Sequence, residues 1–117
     1  MARILIVDDE PDIRFMMRLI FEGAGHKVME AGNGVTGMKC VKGTPPDLVT
    51  TDVMMPVMGG LKFIEWLRSD PTTAKIPILA VSANSELAIA ADAVLRKPFL
   101  PRELLIAAAH LIRENGG

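Results

Sequence analysis

The chain has 117 residues, of which 50% are hydrophobic and 23% are charged, and its formal net charge is −1. This length and apolar content predict one domain over residues 1–117, with a well-filled core. The balanced charge and the lack of a Lys/Arg run argue against nucleic acid or an acidic membrane surface as partners. The single Cys40 excludes an internal disulfide bond, and no apolar run approaches membrane-spanning length. The apolar run Ile4–Val7 meets the acids Asp8-Asp9-Glu10 too soon for a signal peptide, so none is expected. We therefore expect a cytoplasmic protein.

The predicted elements alternate between strands and helices along the chain. Short apolar or β-branched runs predict strands at Ile4–Val7, Lys27–Ala31, Leu48–Thr51, Ile76–Val81 and Ala93–Arg96. Apolar residues at helical spacing predict helices at Pro11–Gly23, Val35–Val41, Leu61–Arg68 and Pro101–Arg113. The segment Ser85–Ala91 has room for two helical turns at most.

This alternation requires a crossover connection between successive parallel strands. We therefore predict an α/β fold with a doubly wound, five-stranded parallel sheet in the flavodoxin-like order 2-1-3-4-5 and helices on both faces. The fourth helix is expected to be shortened or irregular. In such sheets, ligands bind beyond the carboxyl ends of the strands, at the switch point between strands 1 and 3.

The first predicted helix carries apolar residues on two sides. Phe15 and Leu19, which are four residues apart, lie opposite the face that is predicted to be buried. Two large apolar side chains on an exposed face indicate a docking surface. The face predicted to be buried consists of Ile13, Met16, Met17, Ile20 and Ala24.

Four of the predicted strands are followed by polar residues. Asp8 and Asp9 follow strand 1, Asp52 follows strand 3, Ser82 follows strand 4 and Lys97 follows strand 5. Two carboxylates 4 Å apart repel each other by about 4 kcal/mol at an effective dielectric of about 20, so three converging acids need a neutralising group. Mg²⁺ suits carboxylates and a phosphate group, and a lysine ammonium and a serine hydroxyl suit phosphoryl oxygens. The pattern predicts phosphoryl transfer onto a carboxylate.

These residues resemble the receiver domain of two-component response regulators, and the resemblance covers essentially the whole chain. Each motif alone is weakly specific, whereas all four in order on the expected elements are highly specific. The motifs are Asp8-Asp9, Asp52-x-x-x-Pro56 with Gly60, Ser82, and Lys97-Pro98-Phe99.

The resemblance implies a role for each acid. The acid at Asp52 accepts a phosphoryl group from a histidine kinase or a histidine phosphotransfer protein, and the domain catalyses its own phosphorylation and dephosphorylation. Asp8 and Asp9 hold Mg²⁺ together with Asp52, with Asp9 preferred over Asp8 as a direct ligand, and the backbone carbonyl of Met54 is a further ligand. The phosphorylated domain signals by altered binding to an output partner.

The resemblance also implies roles for the residues after strands 4 and 5. Ser82 and Lys97 bind the phosphoryl group, and the peptide bond before Pro98 is cis. The first helix lies near the docking site of the phosphodonor in this family. Phe15 and Leu19 are therefore predicted to contact the phosphodonor or a second copy of this chain.

Four features depart from the family pattern. Val94 occupies the position of a Tyr or Phe that reports phosphorylation, and the segment from Ser82 to Lys97 is about two helical turns shorter than usual. Leu100 replaces a helix-capping Asp, and Gly59 replaces an acid that is common before the glycine at position 60. We therefore expect phosphorylation to change mainly the loops after Asp52 and Ser82.

Two other classes of protein share part of this pattern. A pseudo-receiver would bind partners without phosphorylation; the intact acids and Lys97 argue against this class, and the missing aromatic ring argues for it. A phosphatase of the haloacid dehalogenase type also uses an Asp nucleophile, but it carries Asp-x-Asp where this chain has Asp52-Val53-Met54. The chain is also too short for that family's cap domain.

A G-x-G-x-x-G pattern at Gly32–Gly37 resembles a dinucleotide-binding fingerprint. It follows the second strand, whereas the fingerprint belongs to the first strand of its unit. The turn after the first strand carries two acids, which would repel a pyrophosphate. We interpret Asn33-Gly34 as a turn with a helix cap.

Overall fold

A computed structural model describes residues 1–55, 57–83 and 90–115 of the chain. Its strands are β1 (Arg3–Val7), β2 (Lys27–Ala31), β3 (Leu48–Thr51), β4 (Ile78–Ser82) and β5 (Ala93–Arg96). Its helices are α1 (Pro11–Gly23), α2 (Gly34–Gly43), α3 (Gly60–Ser69) and α4 (Pro101–Asn115). Every predicted bound of these nine elements is met within two residues. The helical turns predicted at Ser85–Ala91 lie almost wholly outside the described residues, as does Pro56.

The five strands form one parallel sheet in the order β2-β1-β3-β4-β5, which confirms the predicted doubly wound topology. The register pairs Val7 of β1 with Thr51 of β3 and Ser82 of β4 with Arg96 of β5. Strand order reverses at β1. The chain therefore continues from β1 to a helix on one face of the sheet and from β3 to a helix on the other face, and a crevice lies between the carboxyl ends of these two strands. Among the described residues, no helix is both long enough and apolar enough to cross a bilayer.

Apolar side chains cover both faces of the sheet, because successive strand residues point to opposite sides. One face packs against α1 and α4, and the other packs against α2 and α3. The first cluster includes Ile4, Ile6, Leu48, Leu79, Val81, Met17, Phe21, Leu104 and Ala108. The second includes Leu5, Val7, Val49, Ile78, Val41, Phe63, Ile64 and Leu67.

The buried face of α1 differs in part from the prediction. Met17 and Phe21, four residues apart, are 1% and 0% exposed, whereas Met16 is 37% exposed. Ala24 follows the helix as its C-cap and is exposed. Met16 lies about 100° around the helix from Met17, which places it at the edge of the apolar stripe. The opposite face is as predicted, since Phe15 is 60% and Leu19 is 55% exposed.

Asn33 caps α2, as predicted. Its side chain accepts a hydrogen bond from the Thr36 N–H at 2.9 Å. A Cβ atom on Gly34 would collide with the Met58 side chain, and one on Gly37 would press against Phe63 at 3.1 Å. Close packing against Met58 and Phe63 therefore accounts for two of the three glycines of the G-x-G-x-x-G pattern, Gly34 and Gly37.

Candidate functional site

The carboxyl ends of β1 and β3 lie side by side, and each is followed by a buried acid. The pair Val7–Thr51 ends the ladder, and the Asp52 N–H donates to the Val7 carbonyl oxygen at 2.9 Å. Asp8 is 1% and Asp52 is 8% exposed. The switch point of the sheet thus holds two carboxylates that are largely removed from water.

The ammonium group of Lys97, which follows β5, joins these two acids. Its Nζ donates to Asp8 Oδ2 at 2.8 Å and to Asp52 Oδ2 at 3.1 Å, and it lies 3.6 Å from Glu10 Oε1. Since β4 lies between β3 and β5, the lysine side chain must extend across the end of β4 to reach the acids. The structure therefore brings together Asp8, Asp52 and Lys97 as the sequence predicts.

Burial and charge act in opposite directions on the ionisation of Asp8 and Lys97. Burial raises the pKa of Asp8, because it penalises the charged carboxylate more than the hydrogen bond from Lys97 favours it. Burial by itself would lower the pKa of Lys97, but hydrogen bonds to Asp8 and Asp52 outweigh it and raise that pKa above its ordinary value. Lys97 is consequently a cation at neutral pH.

Three carboxylates face this one ammonium group. Ligand atoms of Asp8, Glu10 and Asp52 lie within 4.8 Å of one another. When all three are ionised, the positive charge of Lys97 leaves a surplus of two negative charges. Closely spaced carboxylate oxygens with this surplus are the donor set that a hard divalent cation such as Mg²⁺ prefers. The residues therefore fit the cation that the sequence predicts.

Glu10 belongs to this group although its side chain is 61% exposed, whereas the Asp9 side chain, which is also exposed, is not part of it. The reason lies in the turn after β1, where Asp8 Oδ1 accepts a hydrogen bond from the Glu10 N–H at 2.9 Å. This bond folds the loop back onto Asp8, in the manner of an Asx turn. The only sequence signal for Glu10 is its place in an acidic run, because periodicity does not set side-chain directions in a turn.

Ser82 and Met54 border the acids. Ser82 is 2% exposed at the end of β4, and its carbonyl oxygen accepts a hydrogen bond from the Lys97 N–H at 3.1 Å. The Met54 N–H donates to Asp52 Oδ1 at 3.3 Å, while the Met54 side chain is 63% exposed. Both residues are thus tied to the site by backbone contacts.

The loop between β3 and α3 needs a glycine at its end. A Cβ atom on Gly60 would overlap the carbonyl oxygen of Asp52, and the Gly60 N–H donates to the Val53 carbonyl oxygen at 2.9 Å. The beginning of α3 therefore packs directly on the backbone of Asp52. In the same loop Val57 has φ 70°, a left-handed conformation that is unusual for a β-branched residue.

Two of the positions that depart from the family pattern, Val94 and Leu100, have distinct surroundings in the structure. Val94 pairs with Ala80 of β4 and is 42% exposed. At the beginning of α4, Glu103 Oε1 accepts the Leu100 N–H at 2.6 Å, so a glutamate supplies a capping contact where Leu100 has no side-chain acceptor. The Lys97–Pro98 peptide bond is cis, as predicted.

The sequence matches the response regulator receiver domain family over residues 4–109. The chain belongs to this family. It is 36% identical over 120 residues to the phosphate regulon transcriptional regulatory protein PhoB of Pseudomonas aeruginosa, covering 97% of this chain and 52% of that protein. It is 35% identical to the DNA-binding dual master transcriptional regulator RpaA of a Synechocystis species, covering 98% of this chain and 51% of that protein. The chain spans about half the length of these curated relatives.

Solved structures agree with this assignment. A CheY-like response regulator receiver domain protein from Methanospirillum hungatei superposes with a TM-score of 0.91 at 27% identity, over 99% of this chain and 97% of that one. The signal receiver domain of a histidine kinase from Syntrophus aciditrophicus gives a TM-score of 0.89 at 26% identity, over 97% and 92% of the two chains. A phosphoacceptor role in two-component signalling follows from membership of this family. Receiver domains of response regulators interact with histidine kinases, and the match favours this family over the haloacid dehalogenase phosphatases.

Proposed function

We propose that Asp52 is the phosphoacceptor of this receiver domain and that Asp8, Lys97 and Ser82 complete its site. The observation that carries the proposal is the pair of hydrogen bonds from Lys97 Nζ to Asp8 and Asp52, at the switch point of the sheet. The Asp52 side chain is 11% exposed to solvent, which leaves a narrow opening for a phosphoryl group. We further propose that residues 1–117 form a single receiver domain. Its proposed location in the cell is the cytoplasm.

A magnesium ion belongs to the proposed site. The carboxylates of Asp8 and Asp52 and the carbonyl of Met54 would hold it, and Asp9 and Glu10 are the two candidates for a further carboxylate ligand. When bound, the cation supplies positive charge that lowers the repulsion between the acids and the phosphoryl oxygens. The surplus of two negative charges beside Lys97 is what supports this part of the proposal.

Phosphoryl transfer from a phosphohistidine follows from these roles. A carboxylate oxygen of Asp52 attacks phosphorus, the bond from phosphorus to the imidazole nitrogen breaks, and an acyl phosphate forms. Negative charge moves from the carboxylate to the phosphoryl oxygens, so the Lys97 ammonium keeps an anionic partner throughout. The Ser82 hydroxyl donates to another phosphoryl oxygen. Later attack of water on phosphorus releases inorganic phosphate and restores the Asp52 carboxylate.

Acetyl phosphate tests this assignment without a protein donor. We expect intact-mass measurement to show one added phosphate on the wild-type chain, only in the presence of Mg²⁺. Asp52→Asn should abolish the added mass, since the amide is not a nucleophile, and Lys97→Met should reduce it. Comparing Asp9→Asn with Glu10→Gln shows which residue supplies the further ligand. Full labelling of the Asp52→Asn variant would overturn the assignment.

The exposed face of α1 is the proposed contact for the phosphodonor or a second copy of this chain. Phe15 and Leu19 are the two most exposed large apolar side chains of this helix, at 60% and 55%. The double variant Phe15→Ser/Leu19→Ser should keep the fold and the acetyl phosphate reaction, because neither residue belongs to the core or the site. Transfer from the cognate kinase should slow, or self-association measured by sedimentation should weaken. Wild-type values in both measurements would refute this surface.

A further inference from the structure

Arg14 of α1 connects the turn after β1 to strand β2. Its Nη1 donates to the carbonyl oxygen of Asp8 at 2.6 Å, and its Nε donates to Glu30 Oε1 at 3.1 Å. Glu30 lies in β2, where it pairs with Ile6 of β1. The side chains of Arg14 and Glu30 are only 20% and 26% exposed. Charge-assisted hydrogen bonds of this kind are short and strong, so Arg14 holds the turn after β1 against β2.

The carbonyl that Arg14 holds belongs to the peptide group between Asp8 and Asp9. The orientation of this peptide determines how the chain leaves β1 and therefore where the acidic side chains of the turn begin. A second restraint within the turn, from Glu10 N–H to Asp8 Oδ1, uses an oxygen of a proposed metal ligand. The Arg14 bond uses a backbone oxygen, so it leaves every carboxylate oxygen of the turn available to a cation.

An arginine near a cation site would ordinarily repel the cation, but here its charge is balanced. Glu30 accepts Arg14 on one carboxylate oxygen and Arg18 on the other, at 2.6 Å from Arg18 Nη1. Arg18 also contacts Glu22 at 3.1 Å. These four side chains carry two positive and two negative charges, so Arg14 can donate to the Asp8 carbonyl with little net repulsion of a divalent ion.

We infer that Arg14 is a positioning residue for the Mg²⁺ site, because it fixes the Asp8–Asp9 peptide and thereby the carboxylates of the turn. The inference rests on the proposed function. Arg18 provides a matched contrast: it lies one helical turn further along α1 and pairs with the same glutamate, but the contacts that hold it run to Glu22 and Glu30. Removing either arginine weakens the ion-pair group, whereas removing Arg14 also removes the hydrogen bond that holds the Asp8 carbonyl oxygen.

The test measures Mg²⁺ affinity of the full chain by isothermal titration with magnesium chloride, beside urea unfolding of each variant. R14M should weaken the affinity by about tenfold, the usual effect of losing a group that orients metal ligands. R18M should change the affinity by less than about twofold, although it also loses an ion pair to Glu30. A merely structural role would lower the urea midpoints of both variants and leave the affinities of the folded proteins equal.

The outcomes separate the inference from the function on which it rests. An R14M affinity within about twofold of the wild type, or an equal loss in R18M, would overturn the positioning role. A wild-type chain that binds no Mg²⁺ would instead refute the proposed function. Should R14M fail to fold, R14K takes its place. Lysine keeps the charge but cannot join Asp8 and Glu30 in the fork geometry of a guanidinium, so it should weaken the affinity several-fold, and a wild-type affinity would contradict the inference.

Discussion

The strands that carry the acids and the strand that carries the lysine differ sharply in how they are covered. All four residues of β3 and the last four of β1 are buried, whereas no residue of β5 is fully buried. β1 and β3 are central strands with helices on both faces, and β5 is at the edge of the sheet. Ala93 and Leu95 pack against the cluster under α4, while Val94 is 42% exposed on the other face. The anionic part of the site is therefore held by the core, and its cationic part comes from a sparsely covered strand.

This difference indicates where signalling can change the structure. Residues packed on both sides, such as those before Asp8 and Asp52, have little freedom to move, which suits the precise placement of the two acids. A strand covered on one face can shift at lower cost, but its shift is useful only if a side chain reports it. Val94 is stiff about χ1 and has no ring to swing inward. The contrast between β1–β3 and β5 can be tested by disturbing each part separately.

The largest expected effect is on the acid-bearing part, from Gly60→Ala. The new Cβ atom would overlap the Asp52 carbonyl, so the backbone of β3 or α3 must move. We expect a loss of about 3 kcal/mol in the free energy of unfolding, together with weakened Mg²⁺ binding. The adjacent Gly59→Ala is the control, since its Cβ atom would lie at an ordinary 3.4 Å from the Val53 carbonyl oxygen. Urea unfolding measures the stability of both variants, and equal unfolding midpoints would contradict the packing argument.

Arg68→Met tests what holds the other part together. Arg68, near the end of α3, donates to the Ala74 carbonyl oxygen at 2.7 Å and to Asp92 Oδ2 at 2.8 Å. The same Asp92 oxygen accepts the Ile78 N–H at 2.7 Å, so this contact ties α3 to the beginnings of β4 and β5. Its loss should lower the free energy of unfolding by about 2 kcal/mol and leave Mg²⁺ affinity unchanged.

The exposed Arg102→Met serves as the control for Arg68→Met, with an expected change below about 0.5 kcal/mol. A fall in Mg²⁺ affinity in the Arg68 variant, as large as in Gly60→Ala, would show that the two parts of the molecule are coupled. Unchanged stability in the Arg68 variant would show that packing of β4 and β5 alone is sufficient.

Two neighbouring threonines of β3 give a smaller effect with opposite signs. Both are 1% exposed, but Thr51 Oγ1 donates to the Asp52 carbonyl oxygen at 2.9 Å, whereas Thr50 Oγ1 has no hydrogen-bond partner among the described residues. Thr51→Val should therefore cost about 1 kcal/mol, and Thr50→Val, which removes an unpaired buried hydroxyl, should add about 1 kcal/mol. Thermal unfolding of both variants measures the difference, and a destabilised Thr50→Val would contradict this account.

The fold was predictable because its signals are local. Continuous apolar runs predict the buried strands, Pro11 and Pro101 mark helix beginnings, and strict alternation leaves few topologies. The face of α1 was predicted less well, because Met16 and Phe21 are equally apolar in sequence. Only packing against α4 and the sheet decides that Phe21 is buried.

The site was predictable in its chemistry but not in its supporting contacts. Acids at two strand ends and a lysine at a third converge because topology brings strand ends together. The bonds of Arg14 to the Asp8 carbonyl and of Arg68 to Asp92 join residues 6 and 24 positions apart through side-chain geometry. Residue type gives no signal for such partners, since an arginine on a helix is most often a solvated surface charge.

The smallest expected effect is the conformational change of β5 when a phosphoryl group or its mimic binds at the site. A ligand shifts an equilibrium only by its differential affinity for two states, and without an aromatic ring at Val94 the two states of β5 should differ little. Amide NMR with Mg²⁺ and beryllofluoride, a phosphoryl mimic, tests this, with Asp52→Asn as the unresponsive control. Large shifts should be confined to residues 54–60 and 82–85, so that a partner reads the loops or α1. Shifts of similar size through residues 93–96 and 103–111 would mean that the sparsely covered part carries the signal after all.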